Sequence, residues 1–403
     1  AGQKVRLYEM RPEKSTPVHR TSNLAELVCS NSFKSDLGNS AQGLLKREMR
    51  ALGSLLLECA DKTRVPAGSA LAVDRDLFSS LVSKRIMVQP LIEVVREEVS
   101  RIPEDEVTVI ASGPLTSDLL GQELQKLTGE EHLYFYDAVA PSVTEESLDK
   151  SIIFKASRYG KGTDDYYKEL VNADIKEGHS IDKKHFFDAC MPIEVLAHRG
   201  KDTLRFGPLR PVGLHQNKEG SKPYAVLQLR QEDIEGRIYG LVGFQTRLRW
   251  GEQDRIFRLI PGLEKAEFVR YGVMHRNTYI NSPIVLTPAL QFKNNPRIFF
   301  AGQISGVEGY MESAATGIVA GINALRMLTG ENPVVLPETT MIGSLITFIT
   351  TADPDNFQPV NANFGLLPPL TQPIRDKKLR YQAYTQRALE KMDKFSELFL
   401  KSL

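Results

Sequence analysis

Residues 298–324 constrain the fold of this 403-residue chain more than any other segment. An apolar run that ends at Phe299 and Phe300 predicts a buried strand. Glycines follow it closely, at Gly302, Gly306 and Gly309, and small residues then recur at helical spacing, at Ala314, Ala315, Gly317, Ala320 and Gly321. A strand, a glycine-rich turn and a small-residue helix in this order let the backbone approach a ligand, with the helix N-terminus facing an anion or an electron-rich ring edge. An ordinary buried strand-helix unit has the same spacing, so the segment alone leaves both interpretations open.

Length and composition predict a globular protein with two domains, or with three. The chain is 41% hydrophobic and 25% charged, and no apolar stretch approaches the roughly 18 residues that a membrane helix needs. No segment resembles a secretory signal, and we expect no membrane partner. The net charge of +1 neither requires nor excludes a nucleic-acid partner, so an RNA-binding surface would have to be a local basic patch.

The three cysteines, Cys29, Cys59 and Cys190, are odd in number and far apart. Their spacing matches neither a disulfide framework nor a CxxC motif, which favours free thiols in a reducing compartment and hence the cytoplasm. The seven histidines are scattered without HxH or HExxH spacing, so we expect no metal centre.

The N-terminal segment resembles the second strand of a dinucleotide-binding unit. Residues 4–9 alternate polar and apolar and end at Glu9, a carboxylate suited to ribose hydroxyls. The GxGxxG loop that would come before such a strand is absent from the sequence. Either Glu9 is only a solvated strand end, or the sequence lacks its beginning, and we expect the second.

A long amphipathic helix is predicted for residues 41–62. Apolar residues, including Cys59, recur at spacings of three and four and predict one buried stripe. Lys46, Arg47 and Arg50 lie off this stripe. A solvated face explains these three cations, and an RNA-facing surface is the alternative.

Further elements follow from local pattern. We predict a strand at 107–112, a polar loop or insertion at 150–184, a β-rich region at 204–286 and a basic helix at 375–401. Within the β-rich region, strand-like runs occur at 224–229, 239–244 and 268–273.

Two groups of polar residues are suited to chemistry. Cys29 and Cys190 both lie at the ends of elements, where a thiol is reachable and free backbone N–H groups stabilise a thiolate. His275, Arg276 and Asn277 follow a strand and are suited to a heteroaromatic ring or a carboxylate. Each of these residues is equally compatible with a structural role.

Seven segments spread along the chain are shared with one enzyme family. They read AELVCSNS, VPAG followed by ALAVDR, FGPLRPVGL, LQLRQ, VRYGVMHRNTYINSP, FFAGQISGVEGYMESAATG and FQPVNANFGLLPPL. Together they resemble the folate- and FAD-dependent tRNA (uracil-5-)-methyltransferases, and the resemblance extends from Lys4 to about Leu370. The glycine-rich turn alone is also similar to that of the wobble-uridine tRNA-modifying flavoproteins, whereas the two cysteine motifs and HRNTY favour the methyltransferases.

The resemblance implies an activity on the T-loop uridine of tRNA. The methylene of 5,10-methylenetetrahydrofolate and NAD(P)H-reduced FAD would together produce 5-methyluridine. The residue types fit, because C5 of uracil becomes a nucleophile only after a thiolate adds at C6. A base then removes the C5 proton, and a hydride completes the methyl group.

The resemblance also implies roles for individual residues. It makes Cys190 the C6 nucleophile and Cys29 the group that removes the C5 proton, although the two roles could be reversed. His275, Arg276 and Asn277 become candidates for folate or uracil contacts, and Lys46, Arg47, Arg50 and the last helix for tRNA phosphates. FAD would be held by Glu9, Met10, Arg11, Gly302, Gln303, Gly306, Gly309 and Tyr310, the last near the isoalloxazine ring.

The fold implied is α/β, with a Rossmann-like FAD-binding domain and an inserted mixed α/β substrate domain. The FAD-binding domain would comprise residues 1–148 and 287–403, and the inserted domain residues 149–286. The sequence departs from the family at the missing GxGxxG loop and at a short stretch near residue 165. Two alternatives stay open: a wobble-uridine-modifying flavoprotein that works with a GTPase, and an RNA-binding scaffold without FAD.

Overall fold

The computed structural model describes residues 2–16, 18–129, 133–156, 166–170, 191–200, 202–211 and 224–399. The α-helices in these ranges are α1 (Ala41–Ala51), α2 (Leu55–Lys62), α3 (Arg75–Met87), α4 (Asp118–Thr128), α5 (Ile193–His198), α6 (Thr203–Phe206), α7 (Trp250–Phe257), α8 (Ser282–Val285), α9 (Tyr310–Leu328), α10 (Met341–Thr351) and α11 (Lys377–Phe399). The strands are β1 (Val5–Tyr8), β2 (Ser32–Ser35), β3 (Arg64–Val65), β4 (Ala70–Val73), β5 (Ile92–Val95), β6 (Thr108–Ile110), β7 (Leu133–Ala138), β8 (Ser142–Thr144), β9 (Phe154–Ala156), β10 (Tyr166–Leu170), β11 (Val226–Gln231), β12 (Ile238–Val242), β13 (Phe268–Arg270), β14 (Met274–Tyr279), β15 (Gln291–Phe292) and β16 (Asn295–Phe300).

Parallel strand pairs organise the first part of the molecule. Strand β1 pairs in parallel with β5, and β16 pairs in parallel with β6 and antiparallel with β15. The segment between β1 and β5 forms a three-stranded antiparallel sheet in the order β2-β4-β3. The large hydrophobic core of this part includes Phe299 and Phe300, both fully buried, so the strand predicted before the glycines is confirmed.

The pairing of β6 with β16 explains why the chain has an insertion. Phe299 lies opposite Val109 in parallel register, and the Ala301 N–H group donates to the Ile110 carbonyl at 2.9 Å. Parallel neighbours require a crossover connection. Here residues 111–290, called the inserted part below, leave this sheet after β6, and the chain returns to it at β15.

The crossover contains a second sheet with its own core. Six strands pair antiparallel in the order β13-β8-β12-β11-β10-β9. Buried residues alternate along β11, and Leu227, Leu241 and Phe257 lie in a hydrophobic cluster distinct from the first. The domain boundaries predicted from the sequence stay predictions.

The helix predicted for residues 41–62 is two helices. Helix α1 ends at Ala51, and Gly53 has a φ of 72°. Ser54 then caps α2 by accepting from the Leu57 N–H group. The apolar stripe continues across this break, which is why periodicity alone did not reveal it. The buried position predicted for Cys59 is confirmed.

Other predicted elements agree with the structure in type. Strands overlap the segments predicted at residues 4–9, 107–112, 224–229, 239–244 and 268–273, and α11 lies within the predicted C-terminal helix. The loop predicted at 150–184 is wrong where it overlaps β9 and β10. Residues 157–165 and 171–184 of that predicted loop lie outside the described residues.

Candidate active site

The glycine turn, residues 301–309, joins β16 to α9 through backbone that only glycine adopts readily. Gly306 and Gly309 have φ values of 87° and 116°. A Cβ atom at Gly306 would overlap the Phe357 ring, and one at Gly309 would overlap the Glu312 carboxylate. The backbone at Gly306 and Gly309 therefore packs directly against these two side chains. Gln303 bonds to Glu308 within the same turn, and Gly302 also has a positive φ.

Helix α9 begins directly after the glycine turn, and no side chain caps its N-terminus. Gly309 at the N-cap position has no side-chain acceptor. The Glu312 carboxylate accepts from the Lys34 ammonium at 3.2 Å and from the Ala362 amide at 3.1 Å. The first-turn amides of this 19-residue helix carry partial positive charge. They fit an anionic or electron-rich acceptor.

Tyr310, the first residue of α9, is joined to the loop that carries Cys29. The Cys29 N–H group donates to the Tyr310 hydroxyl oxygen at 2.9 Å, and the Tyr310 ring meets Phe33 edge-on at 5.9 Å. Burial, with the electrostatic influence of nearby Cys29 as a second cause, raises the pKa of Tyr310 well above its usual value. The phenol therefore stays protonated, and one predicted thiol lies at the start of the predicted ligand-binding helix.

Arg75 holds the loop of Cys29 from the other side. Its guanidinium donates to the carbonyls of Leu27 and Cys29 at 2.5 and 3.4 Å. It also lies 2.8 Å from the Glu232 carboxylate, which follows β11 in the inserted part. Burial opposes the charge of Arg75, but Glu232 outweighs it and raises the pKa of Arg75. The guanidinium is thus a permanent cation that joins both parts of the chain next to Cys29.

Glu232 is the acidic centre of this group. Its second carboxylate oxygen accepts from the Ser142 hydroxyl at 2.8 Å. Burial opposes the negative charge, yet Arg75 and Arg270 hold the pKa of Glu232 below its usual value. Burial and the neighbouring Arg75 lower the pKa of Arg270 to about 10, so both arginines are cations at neutral pH. Arg75 therefore pairs directly with the buried carboxylate, and Arg270 adds a second positive charge nearby.

A second set of hydrogen bonds joins the same two parts. The Asn31 side-chain amide donates to the carbonyls of Val73 and Gln231, both at 3.0 Å, and Asn31 is 1% exposed. The Ile234 N–H group donates to the Asp74 carboxylate at 3.1 Å. Because Cys29 lies between these anchors, its loop is fixed by contacts with the inserted part.

Glu9 directly follows β1, one residue beyond the last strand residue, and its carboxylate is bound by Arg11. The Arg11 backbone N–H group and both ends of its guanidinium donate to Glu9 at 3.0 to 3.1 Å. Arg11 also pairs with Glu26 at 3.1 Å. Met10, which lies between Glu9 and Arg11 in the chain, is half-buried. Burial opposes the charge of Glu9, but Arg11 lowers its pKa. Glu9 is therefore ionised, and its contact with a ribose stays a prediction.

Strand β14 carries the three polar residues predicted to bind substrate, and the residue that follows it contacts the glycine turn. The Ile280 N–H group donates to the Ile304 carbonyl at 2.9 Å. Asn277 is fully buried, which places its side chain inside the protein. The structure describes only the backbone of His275 and Arg276. Their roles stay predictions.

Cys190 lies outside the described residues. Met191, which follows it in the chain, lines an open concavity of about 930 Å³ in the inserted part. No lining residue of this concavity belongs to the glycine turn or to the loop of Cys29; the lining comprises Met191, Leu196, Arg199, Gly200, Asp202, Thr203, Phe206, Gly207, Pro208, Gly243 and Gln245.

Lys46 corrects one prediction for an RNA-binding surface. Its ammonium group is fully buried and donates to the carbonyls of Phe33, Ser35 and Gln42 at 2.8, 2.8 and 3.1 Å. A phosphate contact by Lys46 is therefore wrong, because three backbone acceptors already occupy the group. Arg47 is exposed, and Arg50 pairs with Asp61.

The sequence alone predicted no role for Arg75 or Glu232. One local signal was available: Arg75 occupies the first position of α3, where the helix dipole disfavours a cation. An arginine at that position must gain its stabilisation elsewhere. No comparable signal marks Glu232.

Within the ranges that the structure describes, no helix is long and apolar enough to cross a membrane. Among the same residues, no group of three or more potential metal ligands is gathered in one place.

Comparisons with known proteins show relatives along nearly the whole chain. Residues 1–332 match the family model described as glucose inhibited division protein A. A protein of Syntrophomonas wolfei named methylenetetrahydrofolate--tRNA-(uracil-5-)-methyltransferase TrmFO is 65% identical, covering 99% of this chain and 94% of that protein. The protein of the same name from Pelotomaculum thermopropionicum is 56% identical over the same shares.

A solved structure shares the fold. Aquifex aeolicus GidA, in its form I crystal, superimposes with a TM-score of 0.65 at 17% identity, covering 96% of this chain and 72% of that one. The form II crystal of the same protein superimposes with a TM-score of 0.64 at 18% identity, covering 92% of this chain and 67% of that one. The predicted α/β fold class is thereby confirmed.

Proposed function

Because the chain belongs to the family of the methylenetetrahydrofolate--tRNA-(uracil-5-)-methyltransferases TrmFO, we propose that it methylates C5 of the T-loop uridine of tRNA. The carbon donor is 5,10-methylenetetrahydrofolate. The observation that carries the proposal is the hydrogen bond between the Cys29 N–H group and the Tyr310 hydroxyl. It joins the backbone of a thiol-bearing residue to the first residue of an uncapped helix behind a glycine turn.

FAD fits the glycine turn on two observations. A Cβ atom at Gly302 would come no nearer than 3.8 Å to another residue, and the φ of 77° favours glycine, so the backbone there is open to a flat ring. The N-terminus of α9 has no side-chain cap, so its amides suit an electron-rich ring edge. Gly302, Gln303 and Tyr310 complete this side, and Glu9, Met10 and Arg11 take the ribose side. When bound and reduced by NAD(P)H, FAD supplies the hydride and passes on the one-carbon unit.

The protein itself must supply a nucleophile and a base. A thiolate adds to C6 of uracil, which makes C5 nucleophilic toward the one-carbon unit. A second group then removes the C5 proton, and loss of the thiolate from C6 restores the ring. We assign Cys190 as the nucleophile and Cys29 as the base. The anchors of Arg75 on the Leu27 and Cys29 carbonyls hold Cys29 in a fixed position for that transfer.

The remaining assignments follow from this chemistry. His275, Arg276 and Asn277 contact folate or uracil, and residues 149–286 form the domain that binds substrate and tRNA. Residues 1–148 and 287–403 hold the FAD. Two described thiols are free, at Cys29 and Cys59, and the substrate is tRNA, so we place the reaction in the cytoplasm.

The proposal is tested with a T-arm minihelix that carries tritium at C5 of its loop uridine. Flavin-loaded protein with methylenetetrahydrofolate and NADPH should release the tritium, and an absence of release by such protein would contradict the proposed function. A wobble-uridine enzyme would require the anticodon arm, which this minihelix lacks. The same substrate therefore separates the two readings.

Cysteine variants test the assignment of roles. Cys190→Ala should form no covalent RNA adduct, whereas Cys29→Ala should form the adduct and release no tritium. Cys59→Ala is the matched control, because Cys59 is fully buried in the core and should leave both signals unchanged. The opposite pattern in the first two variants would reverse the roles.

A further inference from the structure

Three aromatic rings stack in a row on the inserted part. The rings of Phe268 and Tyr271 lie 5.5 Å apart at an angle of 20°, and those of Tyr271 and Trp250 lie 5.3 Å apart at 15°. Near-parallel stacking of this kind leaves the outer ring with one covered and one open face. Trp250 is that outer ring, and it is 61% exposed.

The row is fixed at its inner end. Phe268 meets the buried Phe257 at 6.3 Å, which connects the row to the second hydrophobic core. The Gln253 side chain accepts from the Gly272 N–H group at 2.7 Å and donates to the Gly272 carbonyl at 2.9 Å. The backbone next to Tyr271 is thereby clamped. An exposed tryptophan held in this way presents a rigid flat surface.

The aromatic row is connected to the candidate active site through strand β13. Phe268 and Arg270 belong to the same short strand, and Arg270 interacts electrostatically with the Arg75–Glu232 pair that fixes Cys29. The Arg20 guanidinium donates to the Val269 carbonyl at 3.3 Å. A molecule that reaches Cys29 from the side of β13 would therefore pass near the aromatic row.

The charge beside Trp250 is suited to nucleic acid. Arg249 precedes it, is exposed, and forms no ion pair with any residue that the structure describes. Acidic neighbours on α7 are neutralised locally, since Glu252 pairs with Arg255 and Asp254 pairs with Arg258. An open aromatic face beside an unpaired arginine matches a base and its phosphate.

We propose that Trp250 and Tyr271 form a stacking platform for an unpaired nucleobase of the RNA substrate. The platform rests on the proposed function, because chemistry on a stacked uridine requires its extrusion, which unstacks neighbouring bases of the loop. Stacking is tolerant of base identity, so the platform contributes affinity and position, while the cysteines carry the reaction.

The sequence offers a direct probe, since Trp250 is the only tryptophan. Acrylamide quenching of tryptophan emission is measured on the flavin-loaded protein with and without saturating T-arm minihelix, saturation being established by filter binding. We expect the quenching constant to fall severalfold when the minihelix binds. Quenching that does not change at saturation would overturn the proposal, and so would protection by methylenetetrahydrofolate alone with no further effect of RNA.

Variants give a second readout. Base stacking contributes about 1–3 kcal/mol, so Trp250→Ala should raise the KM for the minihelix roughly tenfold, with kcat within about twofold. The KM of Trp250→Phe should lie between the values for the unmodified protein and for Trp250→Ala. Leu259→Ala is the matched control, because Leu259 is 70% exposed and lies just beyond α7, so its loss should change neither constant. Equal KM values for Trp250→Ala and the unmodified protein would contradict the platform.

A minihelix with abasic loop positions separates stacking from charge. Trp250→Ala and the unmodified protein should bind this RNA equally, and a persisting difference would overturn a base-stacking role. Failure of the proposed function gives a different result. Tritium would then not be released, while the minihelix would still shield Trp250 from acrylamide.

Discussion

The Arg75 guanidinium lies 2.8 Å from the Glu232 carboxylate and also donates to the Cys29 carbonyl at 3.4 Å. One side chain of the parallel-sheet part thus connects the loop of a candidate catalytic thiol to the end of β11 in the antiparallel sheet. Both partners are buried, so the pair is not screened as a surface pair would be. The position of Cys29 therefore depends on how the two parts of the molecule meet.

Removal of the charge on Glu232 should impair the proton-transfer step without preventing RNA binding. In Glu232→Gln, Arg75 loses its ion pair and becomes a poorly compensated buried cation, so its hold on the Leu27 and Cys29 carbonyls should loosen. We expect tritium release to slow by about one to two orders of magnitude, because small displacements of a reacting group have large effects on rate. The measurement is single-turnover tritium release, with adduct formation scored in parallel.

Glu235→Gln is the matched control for that experiment. Glu235 lies three residues further along, is 62% exposed and pairs only with the exposed Arg237. Its loss should leave the rate of release unchanged. Equal rates in Glu232→Gln and Glu235→Gln would show that the Arg75–Glu232 pair does not position Cys29.

An alanine at Gly306 should abolish flavin retention. Its Cβ atom would overlap the Phe357 ring, and the φ of 87° is unfavourable for alanine by about 1–2 kcal/mol. We expect a lower free energy of unfolding and colourless protein after gel filtration. Gly317→Ala is the control, since a Cβ atom there meets nothing within 4 Å and alanine favours a helix interior by up to about 1 kcal/mol. Flavin retained equally by both variants would contradict the role of the turn.

The sequence predicted those features that depend on neighbours in the chain. The strand at Phe299 and Phe300, the glycine turn and α9 follow one another directly, so their pattern is complete within one segment. The break at Gly53 was missed because the apolar stripe continues on both sides of it.

Other features depend on residues far apart in the chain. Arg75 meets Glu232 only after the crossover has folded back, and no periodicity records such a contact. Lys46 has the same difficulty, because its acceptors include carbonyls of β2 whose position depends on tertiary packing. The partners of such buried charges are determined by tertiary packing and not by neighbouring residues in the chain.

The same substitution should lower the free energy of unfolding far more at Lys46 than at Arg47. Lys46→Met leaves three carbonyl acceptors without a donor, so the free energy of unfolding should fall by on the order of 2–4 kcal/mol. Its affinity for tRNA at fixed salt should not change. Arg47→Met alters an exposed side chain on the same helix and should change stability by less than about 0.5 kcal/mol. Urea unfolding and filter binding measure both properties, and weaker tRNA binding by folded Lys46→Met would reinstate a phosphate contact.

Glu48 should make stability fall as the pH rises. Its carboxyl group is fully buried and accepts from the Met341 and Ile342 N–H groups at 2.7 and 2.9 Å, and burial raises its pKa to about 8. Below about pH 4.5 the group is protonated in both states, so the full stability is present. Between about pH 4.5 and 8 the unfolded chain releases the proton that the folded chain keeps, and the free energy of unfolding should fall by about 1 kcal/mol per pH unit.

Urea unfolding from pH 5 to 8 tests this sign. The stability difference between the unmodified protein and Glu48→Gln should decrease steadily with pH, because glutamine does not titrate. Glu58→Gln is the control: hydrogen bonds from Arg85 and Lys62 lower the pKa of the exposed Glu58 to about 2, so that group is ionised in both states above pH 5 and its difference should be flat. A flat difference for Glu48→Gln as well would mean that the two helix N–H groups stabilise the Glu48 carboxylate enough to offset its burial.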